Sequence, residues 1–145
     1  MNPITCEQIC SALSPMFKPL GFSRKRNSFS RTVGDIDQLV RLEKHLRIED
    51  SFGVRWYALL THVGGTELVG ITFGVPDDAN FITAGRSLDN ILDYERNWIP
   101  SHLLPVLEYA TDLERIVAIP PEILKRHTHA QKYTRTAVET PSTGI

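Results

Sequence analysis

PLGFSRKRNSFSR, Pro19 to Arg31, is the stretch whose reading decides the fold. Pro19 resists a helix interior because its ring clashes with the preceding turn, and Gly21 supplies the backbone angles of a helix-to-strand turn. A helix is therefore predicted before this junction and an extended segment after it. Upstream, Thr5 and Gln8 have capping-box spacing, and Ile9, Ala12, Leu13, Met16 and Phe17 recur at helical spacing, which predicts an amphipathic helix over residues 6–17. Downstream, Phe22 to Arg31 reads as a first strand anchored by Phe22 and Phe29, with Asn27, Phe29 and Arg31 on one side and Ser28 and Ser30 on the other. Its polarity suits an edge strand or a sheet with one face in water.

Beyond the Val33-Gly34-Asp35 turn, Gln38 to Ile48 alternates with period two, its apolar face broken only by Lys44. Val54 to His62 is apolar at nearly every position, as a central strand would be, and Leu68 to Val75 supplies a fourth strand ended by Pro76-Asp77-Asp78. After residue 80 the period becomes helical. Ser87 is placed to cap a helix that turns Leu88, Ile91, Leu92 and Tyr94 inward, and Pro100 opens a second helix carrying Leu103, Leu104, Leu107 and Tyr109. Thr111 with Glu114 marks a short third helix, stopped by Pro120-Pro121. The predicted fold is α+β: an N-terminal helix on a four-stranded antiparallel sheet, followed by two or three C-terminal helices. Residues 1–124 form one domain, and residues 125–145 read as a polar, flexible tail that folding can spare.

The chain has 145 residues, 41% hydrophobic, and a net charge of -1 that conceals strong asymmetry. Residues 1–31 are basic. Between residues 63 and 124 the only cations are Arg86, Arg96 and Arg115, and no lysine separates Lys44 from Lys125. Such asymmetry can steer a charged partner or draw the two halves of the fold together. Two cysteines, Cys6 and Cys10, share one helix face and read as small apolar residues, too few for a disulfide framework. With neither a leader of signal-peptide type nor an apolar run of about 20 residues, the expected location is the cytoplasm.

The motifs of common chemistries fail one by one. The histidines, His45, His62, His102, His127 and His129, have no metal-ligand spacing, and the close pair His127 and His129 reads as solvated, although His45 and His62 could meet across the sheet. Pro76-Asp77 lacks the lysine that a metal-dependent nuclease would need, since none follows before Lys125. No phosphate-binding glycine loop or serine elbow is present. Neither metal nor cofactor is expected, and no catalytic residue. Two binding surfaces remain: an acidic one formed by Asp77, Asp78, Asp89, Asp93 and Glu95, and, as the alternative, a basic one formed by Arg24, Lys25, Arg26 and Arg31 with the cation-plus-aromatic character of a nucleic-acid surface.

At Leu13-x-Pro15-x-Phe17-Lys18-x-x-Gly21-Phe22-x-Arg24, with Phe29-x-Arg31 following, the chain resembles the bacterial domain-of-unknown-function family 4304. Trp98 to Val117, with its Leu104-Pro105, is similar as well, so the resemblance spans about residues 6–118. Where the family places a glutamine in its second strand, this chain offers Glu43. Members resemble small proteins found beside polymorphic toxins. The resemblance implies a non-catalytic immunity or antitoxin protein that neutralises a toxin by direct protein–protein binding, with a nucleic-acid or regulatory binding module, or an enzyme without a motif, as the alternatives.

Overall fold

Thr5 starts the first helix. In the computed structural model, which describes residues 4–48, 51–73, 81–82, 87–125 and 127–131, its hydroxyl accepts from the Gln8 amide while Gln8 Oε1 accepts from the Thr5 amide. This reciprocal cap satisfies two N-terminal donors of α1 (Cys6–Phe17). Ile9, Cys10, Leu13 and Phe17 form its fully buried stripe. A 3-10 turn over Lys18–Leu20 follows, and Gly21 ends it at φ 93°. The Phe22 amide then reaches back to the Phe17 carbonyl at 3.3 Å. A side chain at Gly21 would meet nothing within 4 Å, so the position asks for glycine through backbone conformation alone. Gly21→Val is expected to cost about 1–2 kcal/mol, the penalty of a left-handed backbone for a branched residue, and thermal unfolding measures it.

The sheet is antiparallel with strand order β1-β2-β3-β4-β5-β7, where β1 is Ser23–Lys25, β2 Ser28–Val33, β3 Ile36–Ile48, β4 Ser51–His62, β5 Glu67–Thr72 and β7 Thr128–Gln131. The two-residue β6 (Phe81–Ile82) pairs with the start of β4. The expected first strand is thus two strands. The chain reverses between Lys25 and Ser28, which face each other, with Arg26 at φ 57°. Asn27 fixes that reversal on its neighbour, donating from Nδ2 to the Leu42 carbonyl at 2.7 Å while its own carbonyl accepts from the Leu42 amide. β3 contains the period-two segment and β4 the apolar one, except that β3 begins two residues and β4 three residues earlier than expected and a bulge separates Lys44 from Leu46. The fourth strand stops at Thr72, and residues 74–80 lie outside the described part.

Alternation decides which side of the sheet is dry. Phe29, Ile36, Val40, Leu42, Val54, Trp56, Ala58, Leu60, Val69 and Ile71 are buried and share one core with α1 and the C-terminal helices. Ser87 caps α2 (Leu88–Trp98), and a π-helical turn over Ile99–Leu103 leads into α3 (Leu104–Tyr109). Asp112, rather than Thr111, caps α4 (Leu113–Val117), by accepting from the Arg115 amide. α4 stops at Val117, before the two prolines expected to end it, and Pro121 opens the single-turn α5 (Pro121–Leu124).

The region read as a flexible tail is part of the fold over its first residues. Leu124 and His127 are buried, and Thr128 to Gln131 pair with Thr72 to Val69. Edge strands need few apolar residues because the ladder supplies their hydrogen bonds, so a polar sequence concealed this one. Truncation after Leu124 is expected to lower the melting midpoint while leaving unfolding cooperative, against the expectation that the whole tail is dispensable. A melting curve of the shortened chain checks it.

Candidate functional site

The residues singled out from sequence fall in different environments. Asp89 and Asp93 are exposed on α2, whereas Asp77 and Asp78 lie outside the described residues. Glu95 does not belong to an acidic surface. It is 2% exposed and accepts a 2.7 Å hydrogen bond from Trp56 Nε1. The cause is period: Ile91, Leu92, Glu95 and Trp98 follow the inward stripe of α2, so this carboxylate faces the sheet.

The basic set divides likewise. Arg24, Lys25 and Arg26 are exposed at the β1–β2 reversal, with Arg24 donating to the Arg26 carbonyl. Arg31 instead turns inward. Its guanidinium lies 4.5 Å from the centre of the Phe22 ring, and it donates to Gln38 Oε1 at 2.8 Å, to the Leu20 carbonyl at 2.7 Å and to the Leu107 carbonyl at 3.4 Å. Burial lowers its pKa, with Glu108 acting the other way.

Gln38, which the sequence presented only as the start of a strand, is the centre of this network. It is fully buried, and its Nε2 donates to the carbonyls of Leu107 and Ala110, both at 2.8 Å. One side chain thereby connects β3, the arginine of β2 and the end of α3. Glu43, by contrast, stands on the opposite face of the sheet, between Arg41 at 3.3 Å and Arg55 at 3.2 Å.

That opposite face carries no described helix, and strand register arranges it in rows. Lys25, Ser28, Arg41, Tyr57 and Thr72 form one row, with Ser23, Ser30, Leu39, Leu59 and Gly70 beside it. Thr32, Asp37, Thr61 and Glu67 form the third, with Thr32 hydrogen-bonded to Asp37. Tyr57 leans from its row over Gly70, where a β-carbon would collide with the hydroxyl, and Arg41 lies 5.5 Å from its ring centre. The second and third rows hold an open trough of about 490 Å3, floored by Leu39 and Leu59 and lined by small hydroxyl side chains. Cations predominate at one end (Lys25, Arg26, Arg41 and Arg55, the last two paired with Glu43) and acids at the other (Asp35, Asp37, Glu67).

The remaining reactive groups are placed as follows. Cys6 and Cys10 are buried free thiols, and burial pushes Cys10 up to about 12, which keeps it protonated at neutral pH. His45 and His62 do not meet, for His62 faces Ile36 at the far end of the ladder from the bulge that contains His45. His127, read as solvated, is 4% exposed, with its Nε2 3.1 Å from Nδ1 of His102. Among the described residues no group of three or more His, Cys, Asp or Glu side chains converges, and no helix is long and apolar enough to cross a membrane. No family model, curated protein or solved structure matches this chain.

Proposed function

We propose that this chain is a non-catalytic protein-binding module of the immunity type, which neutralises a toxin by covering it with the open face of the sheet. The observation that carries this reading is the sheet face that no described helix covers: an apolar floor at Leu39 and Leu59, a margin of small side chains, cations around Glu43 at one end and acids at the other. A protein partner can bury such a floor at its centre and match the charges at its rim, where charge governs encounter rate and orientation. The resemblance to proteins found beside toxins points to the same class.

The test starts from a partner recovered with the tagged protein from its native host and shown to be toxic alone. Ser30 is exposed within the trough, so Ser30→Arg is expected to leave stability within about 0.5 kcal/mol while obstructing the face. Binding should weaken by more than about tenfold, which corresponds to roughly 1.4 kcal/mol, and protection against the toxin should fall with it. Arg41→Glu should act mainly by slowing association at low salt. If Asp89→Lys with Asp93→Lys weakens binding and Ser30→Arg does not, the interface is the acidic helix instead. Recovery of nucleic acid that salt releases, and that reversal of Arg24 and Arg26 abolishes, overturns the protein-binding reading.

A further inference from the structure

We propose that His102 and His127 form a two-nitrogen chelate for a borderline divalent cation such as Zn2+, Ni2+ or Cu2+, bridging the helical layer and the C-terminal segment. Their ring nitrogens, Nδ1 and Nε2, are 3.1 Å apart. Two nitrogens each about 2.0–2.1 Å from a tetrahedral metal are separated by roughly 3.3 Å, so the observed spacing suits an ion in place of the shared proton once the ring lone pairs turn to converge on it. Imidazole nitrogens select this class of metal over magnesium or calcium, which take oxygen ligands.

Three features hold the pair ready. His102 lies in the π-helical turn Ile99–Leu103, where the Leu104 amide donates to the Ile99 carbonyl; such wide turns are frequent at functional positions. Aromatic rings fix both imidazoles. Trp98 stacks on His102 with centres 5.0 Å apart and planes 10° from parallel, while Phe73 and Trp98 lie 4.8 and 5.7 Å from His127. Little side-chain freedom is left to lose on binding. Finally, Trp98 Nε1 is buried in this cluster with no hydrogen-bond partner among the described residues. A hydroxide or other anion on the open metal positions is the kind of acceptor that a buried N–H requires. His102 is half-buried, which gives the ion a path from solvent.

Two protein ligands make a weaker site than the three or four of a structural zinc site, with coordination positions left for an incoming group. The segments of residues 102 and 127 are already joined by Lys125, whose ammonium donates to the Ser101 carbonyl, and a bound ion would add a second fastening between the residues leading into β7 and the helices.

The experiment uses the full, tag-free chain stripped with chelator and titrated with Cu2+ while tryptophan emission is followed. Trp98 is in contact with the site, so emission should be quenched saturably at one equivalent, Zn2+ in large excess should reverse the quenching, and Zn2+ alone should raise the melting midpoint. His102→Ala, at a half-buried position, should weaken binding by more than about tenfold. His127→Ala should do the same if it folds, and His102→Ala carries the test if it does not. His62→Ala and His129→Ala should retain the site. Absence of saturable binding by the intact chain, or binding that survives His102→Ala or depends on His129, overturns the proposal.

Discussion

Phe17→Ala is expected to destabilise the protein by about 3–5 kcal/mol, the range for emptying a buried aromatic site. Phe17 has no exposed surface. Its ring stacks on Phe29 at 4.0 Å, meets Phe22 edge-on at 5.6 Å and lies 6.0 Å from Trp56, so one side chain joins α1 to β2, β4 and the segment after Gly21. Aromatic pairs add to simple area burial, and the backbone on both sides of the cavity is held by hydrogen bonds and cannot collapse into it. Phe17→Leu should recover more than half of the loss. Chemical denaturation with an unchanged dependence on denaturant would show that the effect belongs to the folded state. A loss below about 1 kcal/mol would mean that α1 does not dock through this ring.

Gln38→Leu should cost about 3 kcal/mol or more although leucine is apolar and similar in size. The substitution deprives the Ala110 carbonyl of its side-chain donor, the Leu107 carbonyl of the closer of its two, and one Arg31 donor of its acceptor, in a region that is buried at Gln38 and part-buried at Arg31. Each buried group left without a partner costs about 1–3 kcal/mol, and the losses within one network are not independent. Gln38→Glu should not rescue, because a carboxylate can accept from Arg31 but opposes two carbonyl oxygens. Arg31→Lys should show a smaller loss, since it gives up the planar fork that reaches three acceptors. Equilibrium unfolding of the three variants would rank them.

How much of this was legible depends on whether a signal is local. The helix over 6–17 was read correctly because its cap, its periodic stripe and its terminating Pro-x-Gly all lie within the segment. The β3 strand was legible through alternation, β4 through its nearly continuous apolar run, and the cap at Ser87 through its position before a helical stripe. The β1–β2 reversal was not legible, because Arg26 takes a left-handed conformation without glycine and Asn27 is held by Leu42, fifteen residues away. Glu95 was misplaced because charge was counted without period; its spacing from Ile91, Leu92 and Trp98 was the available signal. Gln38 offered a similar one, being in phase with Ile36, Val40 and Leu42. For the pairing of His102 with His127 there was none, since topology alone brings them together. The trough arises from register across four strands and cannot be read from any one of them.

Strand order also imposes a timetable on folding. The hairpins from β1 through β5 join neighbours in the chain, whereas β7 completes the sheet by pairing Gln131 with Val69 across the whole helical half. During synthesis, the β5 edge is therefore made long before its partner leaves the ribosome. Until then it presents unpaired amides and carbonyls, beside Val69 and Ile71, to any extended chain nearby. A second nascent copy carries the same β7 sequence, so crowded translation favours exchange of the final strand between molecules, while dilution favours closure within one. Aggregation during expression would then depend on the speed with which the last segment is delivered more than on the stability of the finished protein.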